Sequence, residues 1–172
     1  SWAELMGARI VQVDSVDGVT ISTEKLVAAI DDETLLVPTS HVYFRSGAIQ
    51  DLAAVVKRAH AVGALVLGDG YQAAGIVPMN VEAMGIDFYV GGSHKWLCGG
   101  PGAGFLYVRK DLASRLRPKF SGWFGIANPF DYDPATRFAP AEGAMRFMAG
   151  TPSIPALYAA IEGVSTVANL GL

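Results

Sequence analysis

The amino-acid sequence predicts an α/β fold of three layers (αβα), in which helices cover both faces of a mostly parallel sheet. Short apolar runs alternate along the chain with segments whose apolar residues repeat at helical spacing, and this β-α-β-α-β order is typical of parallel sheets. Hydrophobic residues make up 51% of the 172 positions, which suits strands buried on both faces. The length fits one domain or a large part of one.

Five short apolar runs predict the strands, at residues 8–13, 34–39, 64–67, 86–90 and 104–108. Pro38 indicates that the second strand ends there or runs irregularly, because proline donates no hydrogen bond to a ladder. Helices are predicted to begin after Ser22 or Thr23 and end at residue 30, and to lie at 51–61, 81–84 and 111–116. Gly63 and Gly85 follow two of these helices as termination signals.

The region from Pro118 to Pro155 differs in character from the preceding chain. Glycine, proline and aromatic residues dominate it, which predicts a long ordered loop with a functional role. A final helix is expected at 154–170.

Charge and composition exclude several kinds of partner. The net charge of −3 offers no basic face for nucleic acid or an anionic membrane. No run reaches the roughly 18 apolar residues that a membrane span needs. Cys98 is the single cysteine, so an internal disulfide is impossible, and no spacing indicates a metal site. We therefore expect a cytoplasmic protein without nucleic-acid, membrane or metal partners.

Two polar residues follow neighbouring strands at their carboxyl ends, which is where open parallel sheets bind ligands. Asp69 comes after the run ALVLG, and Lys95 after DFYVGGSH, each with glycines beside it that permit close approach. One interpretation is a partly buried ion pair. The other is a cofactor site, in which the lysine forms a Schiff base with an aldehyde cofactor and the carboxylate keeps the cofactor's ring nitrogen protonated.

An ordered set of motifs favours the second interpretation. They are SHVYFRSG at 40–47, DGYQAAG at 69–75, DFYVGGSHKWL at 87–97, GPGAGFLY at 100–107 and RFMAGTP at 146–152. Together they resemble the class V aminotransferase family of fold-type I pyridoxal 5'-phosphate (PLP) enzymes, over nearly the whole chain. The resemblance implies PLP as cofactor, an α-amino acid as substrate and a homodimer.

Two segments are similar to the kynureninase branch: HVYFRSG at 41–47, and SGWFG at 121–125 with Pro129 and Phe130 after it. Gln72 and His94 instead resemble the aminotransferase and cysteine desulfurase branches, since kynureninases usually have His and Tyr there. Kynureninase-like C–C hydrolysis and transamination are the leading reactions. Cysteine desulfuration, and a non-catalytic fragment or remnant of the fold, stay open as alternatives.

The resemblance also implies roles for individual residues. Lys95 would bind the cofactor and act as general base at the substrate Cα, and Asp69 would pair with the pyridinium nitrogen. Gln72 would bond the ring hydroxyl, and His94 would reach the phosphate or the substrate. His41 is a further candidate near the cofactor, with a structural role as its alternative.

Trp123 and Thr151 would lie beside the phosphate of a neighbouring subunit's cofactor. Core packing is the alternative for Trp123, and a cap of the last helix is the alternative for Thr151. We expect Arg45 and His60 at the surface and Cys98 to be packed.

Family members are typically more than twice as long as this chain. We therefore expect residues 1–117 to form part of the PLP-binding large domain, and 118–172 to lead toward an incomplete C-terminal small domain. A chain of this extent would hold only part of the site and would be inactive alone.

Overall fold

The computed structural model describes residues 2–130 and 139–171. Its helices are α1 (Trp2–Leu5), α2 (Thr23–Ala28), α3 (Leu52–Ala61), α4 (Val81–Met84), α5 (Lys110–Arg115) and α6 (Ile154–Asn169). Its strands are β1 (Leu36–Ser40), β2 (Leu65–Asp69), β3 (Phe88–Gly92) and β4 (Gly104–Val108). None of the described helices is long and apolar enough to cross a membrane.

The four strands form one sheet in the order β1-β2-β3-β4. The first three are parallel, with Val37 opposite Val66 and Leu67 opposite Phe88. The last strand runs antiparallel to β3, so the sheet is mostly but not entirely parallel. Because β2 and β3 point the same way, their carboxyl ends meet at one edge of the sheet.

Helices pack on both faces of this sheet, which confirms the predicted three-layer α/β architecture. Successive strand residues point to opposite faces. Val66 and Tyr89 belong to the larger core cluster, which α2 and α3 cover. Their neighbours Leu65 and Phe88 contact a second cluster at the end of β4 and in α5.

The predicted strand at 8–13 is wrong, because these residues have no regular secondary structure. Ile10 and Val11 are 58% and 54% exposed, and no strand in the described ranges pairs with them. A strand needs a neighbour to satisfy its backbone N–H and C=O groups. An apolar run without such a neighbour stays irregular, whatever its β propensity.

Pro38 lies inside β1, paired with Leu67, so the expectation that the strand ends or becomes irregular there is also wrong. The reason is position, since β1 is at the edge of the four described strands. At an edge, the N–H that proline lacks has no described strand to bond.

Local capping explains why the predicted helices begin and end where they do. The Ser22 hydroxyl accepts the N–H of Lys25 at 3.2 Å, and the Asp51 carboxylate accepts that of Ala54 at 3.0 Å. Gly85 closes α4 with a φ of 70°, a left-handed conformation that favours glycine.

A buried ionic cluster holds the chain just before β3. Asp87 is completely buried, and its Oδ2 accepts the backbone N–H of Val66 at 2.7 Å and lies 3.0 Å from His60 Nε2. Arg109 Nη1 lies 2.6 Å from Oδ1, an ion pair without the alignment of a hydrogen bond. His60 is exposed, as expected, and its ring also ties α3 to the sheet through Asp87.

The predicted loop from Pro118 to Pro155 contains two short 3-10 turns, Trp123–Gly125 and Gly143–Phe147. A bridge joins Ile126 to Pro140, and residues 131–138 lie outside the described chain. The final helix begins at Ile154, as predicted, and Ser153 is its N-cap.

Candidate cofactor site

Asp69 is the last residue of β2 and is half-buried. Its Oδ1 accepts the backbone N–H of Tyr71 at 2.9 Å, and its main-chain oxygen accepts that of His41 at 2.9 Å. Within the described part of the chain Oδ2 accepts no hydrogen bond. The carboxylate is therefore held at one oxygen and open to a ligand at the other.

Lys95 lies in a closed loop that follows β3. Buried Ser93 fixes this loop: its hydroxyl donates to the carbonyl of Gly100 at 2.8 Å, and its own carbonyl accepts the N–H of Gly99 at 2.7 Å. Ser93 was not among the predicted site residues, although a serine beside a lysine in a glycine-rich turn could have indicated such a loop. The half-buried Lys95 is thereby presented from a rigid support.

Tyr71 connects the two halves of the site, and the sequence motifs did not single it out. Its ring centroid lies 4.9 Å from Lys95 Nζ and 5.3 Å from the ring of His94. No ion pair joins Asp69 to Lys95 in the ranges that the structure describes. The ion-pair interpretation of these two residues is therefore not what the geometry favours.

The turn after β2 packs against the Lys95 loop. Trp96 Nε1 donates to Gln72 Oε1 at 3.1 Å. A Cβ at Gly75 would lie 2.6 Å from the main-chain oxygen of Trp96, so only glycine fits there. Gln72 is thus brought to the loop that carries Lys95, with its amide nitrogen available to a ligand, and His94 is exposed beside it.

His41 is buried. Its ring is hydrogen-bonded to Tyr89, with 2.8 Å between Nδ1 and the phenolic oxygen. Burial lowers the pKa of His41. Burial, and then the charge of Asp69, raise the pKa of Tyr89. Both groups are therefore neutral near pH 7, and the geometry of His41 is that of a structural support for β2.

Trp123 and Thr151, distant in sequence, are brought together: the indole Nε1 donates to the threonine Oγ1 at 3.1 Å. Both residues are exposed, and Trp123 also packs edge-on against Phe124 and Phe130. Thr151 does not cap α6, since Ser153 occupies that position. The cap alternative for Thr151 is thus wrong.

Two other residues differ in outcome. Arg45 is exposed, as expected. Cys98 was expected to pack and is instead exposed, with Sγ 3.6 Å from the main-chain oxygen of Trp96. Its φ of 54° lies in the left-handed region, which is uncommon for a residue other than glycine.

The donor set at this edge of the sheet fits PLP. Lys95 supplies an amine that can bond an aldehyde carbon, and Asp69 supplies an open carboxylate oxygen for a ring nitrogen. Gln72 adds a neutral amide, which is bonded to Trp96 of the Lys95 loop. No cluster of metal-ligating side chains occurs in the part of the chain that is described.

The fold and this donor set are those expected of a PLP-dependent α/β chain. The chain belongs to the class V aminotransferase family, whose model (Aminotransferase class-V) matches residues 1–172. PLP is the cofactor of this family, which confirms the cofactor that the sequence predicts.

Similar proteins include an aminotransferase and several kynureninases. The chain is 40% identical over 160 residues to the uncharacterized aminotransferase YcbU of Bacillus subtilis, covering 93% of this chain and 41% of that protein. It is 36% identical over 137 residues to the kynureninase of Pseudomonas fluorescens, covering 79% and 32%. These relatives confirm a kynureninase-like class V branch, and the chain spans 41% and 32% of their lengths.

Solved structures share the fold. The apo cysteine desulfurase of Thermococcus onnurineus NA1 matches with a TM-score of 0.84 and 26% identity, over 98% of this chain and 41% of that one. A mutant of C-DES with glycine covalently linked to its PLP cofactor matches with a TM-score of 0.74 and 25% identity, over 86% and 39%. Relatives of different reaction type thus share one scaffold.

Proposed function

We propose that this chain supplies the cofactor-binding lysine of a PLP-dependent enzyme acting on an α-amino acid, with Lys95 as the attachment residue. The observation that carries the proposal is the placement of Lys95 and Asp69. The two side chains follow adjacent parallel strands at the same edge of the sheet, and within the described residues no ion pair joins them. A structural ion pair would have used both groups.

Each residue of the site then has a distinct task. Asp69 would keep the ring nitrogen of the cofactor protonated. Gln72 would orient the ring by hydrogen-bonding to the hydroxyl group on it. When bound, the cofactor supplies an electron sink for negative charge at the substrate Cα. The amine of Lys95 would move the proton at that carbon, and exposed His94 would contact the phosphate or the substrate.

For the reaction, we propose kynureninase-like C–C hydrolysis or transamination, supported by the kynureninase and aminotransferase relatives. Cysteine desulfuration is the second candidate, favoured by the likeness to a cysteine desulfurase structure. Cys98 does not strengthen it, because the thiol lies in the folded loop that carries Lys95.

We also propose that residues 1–117 belong to the large domain and that 118–172 lead toward a second domain. Trp123 and Thr151 would act as a pair on the cofactor phosphate of a partner subunit in a homodimer. Their hydrogen bond supports this, because one exposed site then presents a hydroxyl and an indole side by side.

Absorbance tests the lysine assignment. PLP added to the full-length protein should give a band near the edge of the visible range, which Lys95→Ala abolishes. Lys57→Ala, on the exposed face of α3, is the matched control and should keep the band. If Lys95→Ala kept the band as well, the assignment of Lys95 would fail.

A substrate panel separates the reactions. Release of anthranilate from kynurenine would identify the hydrolysis, and formation of a keto acid from an amino donor would identify transamination. Activity in neither assay, with sulfide released from cysteine, would overturn both leading reactions in favour of desulfuration.

A further inference from the structure

We propose that Tyr71 is a positioning residue, whose ring docks the Lys95 ammonium at the edge of the sheet whenever that amine is not bonded to the cofactor. This inference rests on the proposed function of Lys95. The inference goes beyond that function because it assigns a position to the free amine and gives a physical reason for that position.

Tyr71 is fixed from two sides. Its backbone N–H donates to Asp69 Oδ1 at 2.9 Å, so the residue is tied to the carboxylate of the site. Its phenol covers Gly92 so closely that a Cβ there would overlap the hydroxyl end of the ring. A ring held in this way cannot turn aside without breaking one of these contacts.

The position of Lys95 relative to this ring is that of a cation–π pair. The distance of 4.9 Å from Nζ to the ring centroid is within the roughly 6 Å over which the ring quadrupole attracts an ammonium. No described carboxylate forms an ion pair with Lys95. The ring is therefore the electron-rich group that the amine meets.

A neutral partner has a functional advantage over a carboxylate. The titratable groups around the ring are Lys95 and His94 from the loop after β3, and Asp69 from the end of β2. Pairing Lys95 with Asp69 would occupy the oxygen needed by the ring nitrogen. The ring holds the ammonium without using that oxygen, and a partly exposed cation–π contact is weak enough, about 2- to 30-fold in an equilibrium constant, to release it.

The test uses reductive methylation of the cofactor-free, full-length protein with formaldehyde and cyanoborohydride, measured at each lysine by mass spectrometry. Only the neutral amine reacts, so a ring that stabilises the ammonium slows the reaction. Tyr71→Leu should speed methylation of Lys95 by about 2- to 30-fold near pH 7, and Tyr71→Phe should leave it unchanged. Lys57 should react at the same rate in all three proteins.

The pH profile separates this effect from simple shielding. If the ring stabilises the charge, the ratio of the methylation rate in the Leu variant to that in the wild type falls as the pH rises through and beyond the ordinary lysine range, about 10.4. A ratio that stays constant with pH, or no difference at pH 7, would overturn the inference.

Pentafluorophenylalanine at position 71 provides a second test should Tyr71→Leu fail to fold, because it keeps the shape of a phenyl ring while reversing its electrostatics. It should speed methylation of Lys95 as the Leu variant does, and a rate equal to that of Tyr71→Phe would contradict the proposal. These measurements use no PLP. The proposed function would therefore be refuted by the absence of a cofactor band in the wild-type protein or by its retention in Lys95→Ala, whereas the methylation rates decide the role of Tyr71.

Discussion

Replacing Asp87 with asparagine tests how the strand that precedes Lys95 is anchored. Asp87 is completely buried and contacts β2 through Val66, α3 through His60 and the end of β4 through Arg109. Asparagine keeps the shape and one acceptor oxygen for the N–H of Val66. It removes the negative charge and replaces the other acceptor oxygen with an NH₂ group, which then faces other hydrogen-bond donors.

The expected cost follows from the exposure of the partners. Breaking a buried ion pair by removing one member costs about 3–5 kcal/mol. The side chains of Arg109 and His60 are 32% and 35% exposed, so water can solvate the charges left behind. We therefore expect Asp87→Asn to lower the free energy of unfolding by about 2–3 kcal/mol, at or just below the lower bound of that range.

Urea unfolding of the full-length protein, followed by far-UV circular dichroism, measures this change. Asp111→Asn is the matched control: Asp111 contacts the same Arg109, at 2.6 Å, but its side chain is half exposed. Exposed ion pairs contribute little, so the control should shift the midpoint much less. Equal midpoints for the two variants would refute the conclusion that the Asp87 charge anchors β3.

Three further changes have defined outcomes. Gly70→Ala would drive a Cβ into the buried ring of Tyr89, and should cost about 1–3 kcal/mol in urea unfolding and weaken PLP binding; an unchanged midpoint would contradict the packing. Burial lowers the pKa of His41, so the unfolded chain takes up the proton more readily and the free energy of unfolding falls as the pH drops below about 6.5. His41→Asn should make that fall shallower between about pH 7 and pH 5, and an identical slope would exclude His41 as its source. Gly163→Ala would place a Cβ 2.4 Å from the main-chain oxygen of Leu97, and should speed amide hydrogen exchange in the Lys95 loop, whereas unchanged exchange would show that α6 does not support this loop.

The helix ends could be predicted from the sequence because the residues that set them lie at those ends. Ser22 and Gly85 mark helix ends through their own side chain or backbone, and both predicted ends were found. The strand at 8–13 failed because pairing depends on a neighbour that no local pattern reveals. The prediction made from Pro38 failed for the same reason, since a strand tolerates proline mainly if it lies at the edge of the sheet.

The site could be predicted only where a residue carries a recognisable motif. Asp69 and Lys95 follow apolar runs and are flanked by glycines, so both strand ends could be located in advance. Tyr71 and Asp87 lie inside two of these motifs, but the sequence predicted no role for either. Their importance comes from contacts made across the sheet, and a tyrosine or an aspartate in an apolar segment has many equally ordinary explanations.

The close approach of α6 to the Lys95 loop has a mechanical consequence. A Cβ at Gly163 would meet the backbone at Leu97 and Cys98, and one at Gly99 would meet Ala160, so helix and loop touch main chain to main chain. No flexible side chain lies between them to absorb a displacement. A tilt of α6 would therefore move the loop as well, and under the proposed role of Lys95 a misplacement of about 1 Å at the reacting group would cost about 100-fold in rate. A contact that bends or stabilises α6 would thus change the position of the Lys95 amine, even if that contact lies far from the lysine.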